Sequence, residues 1–176
     1  RLRVYPALRG GLETEVEYVK GDFCNTTDFD YLLKNIDVVY HLISNSLPAN
    51  SNNNPMEDAA TNLLPTLGFL EAAKVAQVSK VIFFSSGGTV YGDSKEPRLS
   101  ESYPIRPLCA YGVHKAAIEL YLALYYQLYN LDYCVMRISN PYGSYQKDNK
   151  LQGVIPIFLQ KIMCGEDIDI WGDGSI

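Results

Sequence analysis

The sequence predicts an α/β fold, a parallel sheet covered on both faces by helices. Three observations carry that expectation. Apolar runs of strand length alternate along the chain with longer segments that read as helix. The runs are apolar throughout, as in Val81-Ile-Phe-Phe84, which suits strands buried on both faces. They end in short polar turns, such as Ser85-Ser-Gly-Gly and Ser139-Asn-Pro.

In order, residues 15–19 read as a strand, 28–34 as a short helix and 36–42 as a buried strand. The asparagine-rich segment 45–54 has no apolar periodicity and is expected to be a mobile loop. A long helix follows over 56–77, and Pro65, which lacks a backbone N–H, is expected to bend it. Residues 80–84 form the next strand, 111–129 a second long helix and 133–137 another strand. No internal repeat is visible.

With 176 residues, 47% of them hydrophobic and 20% charged, the chain can bury a substantial core. One domain plus the start of a second is the natural count. A net charge of -5 gives no support to nucleic-acid binding or to an anionic membrane surface. No unbroken apolar stretch approaches the roughly 20 residues that span a bilayer. Cys24, Cys109, Cys134 and Cys164 lie far apart without the close spacing of metal ligands, so they read as reduced, mostly buried thiols of a cytoplasmic protein.

The most informative pair is Tyr111 and Lys115, four residues apart on a predicted helix and therefore on one face, a turn apart. A phenol is a poor base at neutral pH, because its ordinary pKa is about 10. A neighbouring ammonium favours the phenolate and is expected to pull that value down. Tyr111 could then take a proton from a hydroxyl while a cofactor accepts the hydride. The spacing alone is weak; its company strengthens it. Upstream stands Ser85-Ser-Gly-Gly-Thr-Val-Tyr-Gly92, and downstream Arg137-Ile-Ser-Asn-Pro-Tyr-Gly143.

Together with Gly21-Asp-Phe23, Val38-Val-Tyr-His-Leu-Ile-Ser44 and Asp58-Ala-Ala-Thr-Asn62, these segments resemble the extended short-chain dehydrogenase/reductases, within them the nucleotide-sugar epimerase/dehydratase family typified by UDP-glucose 4-epimerase. The resemblance covers nearly the whole chain. It implies a Rossmann-like doubly wound parallel sheet flanked by helices, lacking its first βαβ unit: the glycine-rich turn that holds a pyrophosphate is missing, and the strand that would discriminate NAD from NADP is missing with it. It also implies an internal piece of a longer enzyme, with a partial dinucleotide-binding domain over 1–145 and the start of a small substrate lobe over 146–176.

What the resemblance implies for the site is specific. Asp22 and Phe23 would meet the adenine of NAD. Leu42, Ile43, Ser44 and Ser46 would pass along its ribose and pyrophosphate, with Asn62 supporting them, Ser85 at the next strand end, and Tyr111 and Lys115 at the nicotinamide ribose. Asn140 would bind the diphosphate of a UDP-sugar, and Val154 lies in the segment that would meet the uracil. No metal is implied. The helices 56–77 and 111–129 would pair with a second copy into a four-helix bundle, and Leu120, Leu122, Leu124, Tyr125, Tyr126 and Leu128 give the second of them more apolar surface than one sheet face requires.

One position departs from the family. Where a Ser or Thr normally relays the substrate proton to the tyrosine, this chain has Gly87. Either Ser86 or Thr89, Thr89 preferred, is expected to take the relay, or the phenolate acts alone through a direct contact or water; if Thr89 takes it, Gly87→Ser should partly rescue Thr89→Val. Dehydratases and decarboxylases of the family carry acidic residues next to this place, whereas here stand Gly88 and Thr89, both expected at the sugar. That favours epimerisation at C4 through a 4-keto intermediate; a dehydratase or reductase, or a non-catalytic dinucleotide-binding relative, are the alternatives. His41, in a buried strand, reads as structural. So does His114, which is expected to face away from Tyr111.

Overall fold

The structure is a computed structural model, and it describes residues 2–4, 16–24, 28–143 and 153–170. It divides into two compact units, Arg1–Ile138 and Ser139–Ile176. The first holds all of the strands described. β1 (Leu2–Val4) pairs in parallel with β2 (Val16–Tyr18). A separate parallel sheet has the order β3-β4-β5, built from β3 (Val38–His41), β4 (Lys80–Ser86) and β5 (Asp132–Ile138). Among the described residues no strand joins the two sheets. Leu2–Val4, which the sequence reading gave no element, form a strand.

β4 is central. Its register sets Val38 opposite Lys80 on one side, and Lys80 opposite Asp132 through Ser86 opposite Ile138 on the other. Side chains alternate across a sheet, so Val81, Phe83 and Ser85 face one way and are buried. On that face lie α1 (Phe29–Leu33), α3 (Leu64–Val75) and α4 (Ala110–Tyr129), which contribute Leu33, Leu70 and Leu122 to the core. On the opposite face Tyr40 and Met136 are exposed among the described residues.

The long helix expected over 56–77 comes in three parts. α2 (Pro55–Asp58) runs into a π-helical turn (Ala59–Leu63), and α3 follows. The cause is Pro65. An α-helical bond to the carbonyl of Thr61 would need the N–H that Pro65 lacks. That carbonyl instead accepts from Cys24 Sγ at 3.3 Å and from Asn45 Nδ2 at 3.2 Å. Pro65 therefore redirects a backbone acceptor outwards as well as bending the helix.

Segment 45–54, read from sequence as a loop, carries a 3₁₀ turn at Ser51–Asn53. Its amides act as backbone partners: Asn50 Oδ1 accepts from Leu47 N, Asn54 caps α2 by accepting from Glu57 N, and Asn52 Oδ1 accepts from Ala110 N at 2.8 Å, closing the first turn of α4. A run of polar residues without periodicity thus reads as a loop yet holds two helix starts.

His41 is buried in β3, with its ring among those of Phe23, Phe69 and Phe83. Its Nε2 lies 3.0 Å from Thr66 Oγ1, and Thr66 spends its own proton on Asn62 O at 2.7 Å. His41 must therefore donate from Nε2. Burial, and then the charge of Lys115, push its pKa down to about 3, so it is neutral and structural, as expected. The cysteines differ from expectation: Cys134 and Cys164 are exposed, Cys24 and Cys109 half-buried.

The second unit contains α5 (Val154–Cys164), which ends at Gly165 in the left-handed region. No helix among the described residues is long and apolar enough to cross a membrane.

Candidate active site

Tyr111 sits in the first turn of α4, and that turn is held at the carboxyl end of β4. Lys115 is buried, and its Nζ donates to Phe84 O at 2.8 Å while lying 4.7 Å from the centre of the Phe83 ring and 5.6 Å from that of Tyr111. Loss of hydration lowers the Lys115 pKa to about 8. The Tyr111 phenol moves the other way from expectation. Burial raises it, and the nearby Cys109 and Asp58 add to the rise. Lys115 approaches the face of the ring, and its ammonium is engaged with a carbonyl, so its pull does not offset the lost solvation.

A cleft of about 240 Å³ opens beside this pair, with Ile43, Ser44, Ser46, Asn62, Tyr111 and Lys115 on its walls. These six were picked from sequence. The cleft lies beyond the carboxyl ends of β3 and β4, where open α/β sheets bind ligands. Among the described residues Lys115 has one hydrogen bond for its three N–H groups, which suits ribose hydroxyls.

Asp58, Thr66, His114 and Ile118 also line the cleft, and sequence reasoning did not place them there. For His114 the expectation is overturned. Residues 111, 114, 115 and 118 form one helical face, since positions three and four apart are neighbours. That spacing was the available signal.

Other expected site residues lie outside the walls of the cleft. Asp22 forms a turn, its Oδ1 accepting from Cys24 N at 2.9 Å. The ring of Phe23 packs on Phe29 and His41, and Leu42 is exposed. The hydroxyl of Ser85 points into the sheet's helical face and donates to Glu119 Oε1 at 2.5 Å. Glu119 is buried and also binds Arg137 through both oxygens, at 3.2 Å and 2.7 Å, while Arg137 donates to the Tyr91 hydroxyl at 2.8 Å. Ser85 thus serves a buried ionic network, where the sequence suggested a cofactor contact or a backbone partner. Asn140 is exposed, and it belongs with Val154 to the second unit.

The turn after β4 explains Gly87. Its N–H donates to Ile138 O at 2.7 Å, continuing the ladder one residue past the strand. A Cβ at residue 87 would stand 2.8 Å from Arg137 O, a backbone atom that cannot give way cheaply. The same approach is repeated at α4, where a Cβ on Gly112 would stand 2.8 Å from Thr89 O. Thr89 is therefore pressed against the residue that follows Tyr111. Its hydroxyl is buried and has no partner among the described residues. Ser86 is half-buried, and Gly88 has open space around it.

The model of the NAD dependent epimerase/dehydratase family matches residues 4–176. UDP-glucose 4-epimerase of Mycolicibacterium smegmatis is 37% identical over 161 residues, 90% of this chain and 51% of that protein. The dTDP-4-dehydro-6-deoxyglucose reductase of Escherichia coli is 41% identical over 138 residues, 78% and 43%. The structure of UDP-N-acetylglucosamine 4-epimerase from Methanobrevibacter ruminantium, in complex with UDP-N-acetylmuramic acid, superimposes with a TM-score of 0.84 at 34% identity, covering 91% of this chain and 51% of that one. The chain thus spans about half the length of the relatives it matches.

The geometry at Gly87 reverses one expectation. Gly87→Ser should cost about 1–3 kcal/mol of stability, as overpacking does, and should not create a relay. Urea unfolding measures this; a variant as stable as wild type contradicts the close approach.

Proposed function

The chain belongs to the NAD-dependent epimerase/dehydratase family, and on that footing we propose that the protein epimerises a UDP-sugar at C4 through a 4-keto intermediate. The observation that carries this reading is the cleft itself, where Tyr111 and Lys115 stand on one helical face beyond the strand ends, and the sequence adds that no carboxylate stands at residue 88 or 89.

NAD bound there would take the hydride from C4, return it to the other face of the ketone, and place positive charge near the phenol. Tyr111 takes the proton of the C4 hydroxyl as the hydride leaves and gives it back on reduction, so neither protons nor electrons are gained overall. The phenol, held high by burial, needs that added charge to act as a base at neutral pH. Lys115 holds the ribose. Thr89, with its hydroxyl buried and unspent, relays the proton. Asp22, Phe23, Leu42, Ser44 and Ser46 run along the rest of the dinucleotide, and Asn140 and Val154 hold the UDP moiety.

A reductase of the same family is the second reading, favoured by the 41% identity to the Escherichia coli enzyme. It differs in needing free dinucleotide as a co-substrate. We also propose a homodimer. Leu120, Leu124, Leu128 and Tyr126 of α4 and Leu64 and Val75 of α3 are exposed, an apolar surface of the kind that marks an interface, whereas Leu122 and Tyr125 belong to the chain's own core. Light scattering at micromolar concentration should give twice the protomer mass; a monomer refutes this pairing.

In the whole protein Tyr111→Phe should lose most turnover yet retain NAD. Thr89→Val should slow turnover by about 10²–10⁴-fold with little change in substrate affinity. Turnover unchanged in either variant removes that residue from the mechanism.

The Lys115 ammonium is lost as pH rises through about 8. Affinity for dinucleotide should therefore fall from pH 7 to 9 in wild type and stay flat in Lys115→Met. Parallel profiles from the two proteins rule out the ribose contact.

A further inference from the structure

We propose that His114 is a positioning residue of the dinucleotide site, joining the turn of α4 that carries Tyr111 and Lys115 to the turn that carries Asn62, through the buried carboxylate of Asp58. The inference rests on the reading of this cleft as the NAD site.

Asp58 is 5% exposed. Its Oδ2 lies 2.6 Å from His114 Nδ1, and its Oδ1 accepts from Asn62 Nδ2 at 3.1 Å. An ionised carboxylate only accepts, so Nδ1 carries the hydrogen whether the imidazole is neutral or charged. Both carboxylate oxygens are thereby engaged. Asn62 carries the connection on: its Oδ1 accepts from Asn45 N at 2.8 Å, and its Nδ2 reaches Ser46 Oγ at 3.4 Å. An unbroken path of hydrogen bonds therefore runs from α4 to the strand-end loop expected to follow the cofactor.

α4 is fixed to β4 independently, by Lys115 on Phe84 O. Loss of the His114 contact leaves Tyr111 and Lys115 in place but frees Asn62 and the loop to shift against them. The effect should fall on cofactor affinity and spare the chemical step. A contact that served stability alone would lower the melting temperature and leave the affinity of the folded protein unchanged.

The test uses the whole protein, with NADH fluorescence titration and kcat at saturating NAD. His114→Leu, which keeps bulk without a donor, should bind NADH at least about tenfold more weakly. Its kcat should stay within about threefold of wild type. His114→Asn, which offers an N–H near the place of Nδ1, should recover affinity to within about threefold. The proposal is overturned if His114→Leu binds as wild type does, or if His114→Asn is as weak as His114→Leu. Should His114→Leu fail to fold, Asp58→Ala decides: it removes the acceptor of both donors, so unchanged affinity overturns the proposal. Wild-type protein that binds no NADH refutes instead the reading of the cleft.

Discussion

A buried ammonium has to be paired, and the way Lys115 is paired organises this site. Its Nζ reaches Phe84 O at 2.8 Å, on the central strand near its carboxyl end. An unpaired charge there would cost several kcal/mol, so the bond sets where α4 begins relative to β4. Tyr111 follows by helical geometry, one turn earlier on the same face. His41, the other titratable cation beside this ammonium, stays neutral with a pKa near 3. The Lys115 ammonium thus stands in the wall of the cleft, against the face of the Tyr111 ring.

Two close backbone approaches complete the frame. At Gly87 the chain leaving β4 stays within bonding distance of β5, and at Gly112 the following turn lies against α4. These contacts exclude a side chain at residue 87 and bring Thr89 to the helix that carries Tyr111. A Cβ at residue 87 is thus opposed by backbone, while the Thr89 hydroxyl is buried without a partner among the described residues. The Ser85–Glu119–Arg137–Tyr91 network ties β4, α4, β5 and this turn together from beneath.

The central sheet and its helices were legible because their signals are local. An apolar run such as 80–84 and a periodic segment such as 111–129 announce themselves, and the motif order identified the family. Tyr111, Lys115, Asn62 and Ser44 were legible through that motif order and do meet in one cleft. What was illegible depends on partners distant in sequence. The role of Asn52 needs Ala110, that of Asp58 needs His114, and that of Ser85 needs Glu119, separations of 58, 56 and 34 residues. The direction of the Tyr111 shift was misjudged for a related reason: spacing shows that an ammonium is near, but not that a carbonyl holds it against the ring face.

The central claim is that hydride leaves C4 of a sugar and returns to it on a dinucleotide that the protein does not release. The direct measurement uses a UDP-sugar carrying deuterium at C4, incubated with the whole protein in ordinary water, with the product analysed by NMR. The account predicts inverted configuration at C4 with the deuterium retained there and no requirement for added NADH. Deuterium lost to solvent, or turnover that stops without a stoichiometric supply of NADH, would contradict it.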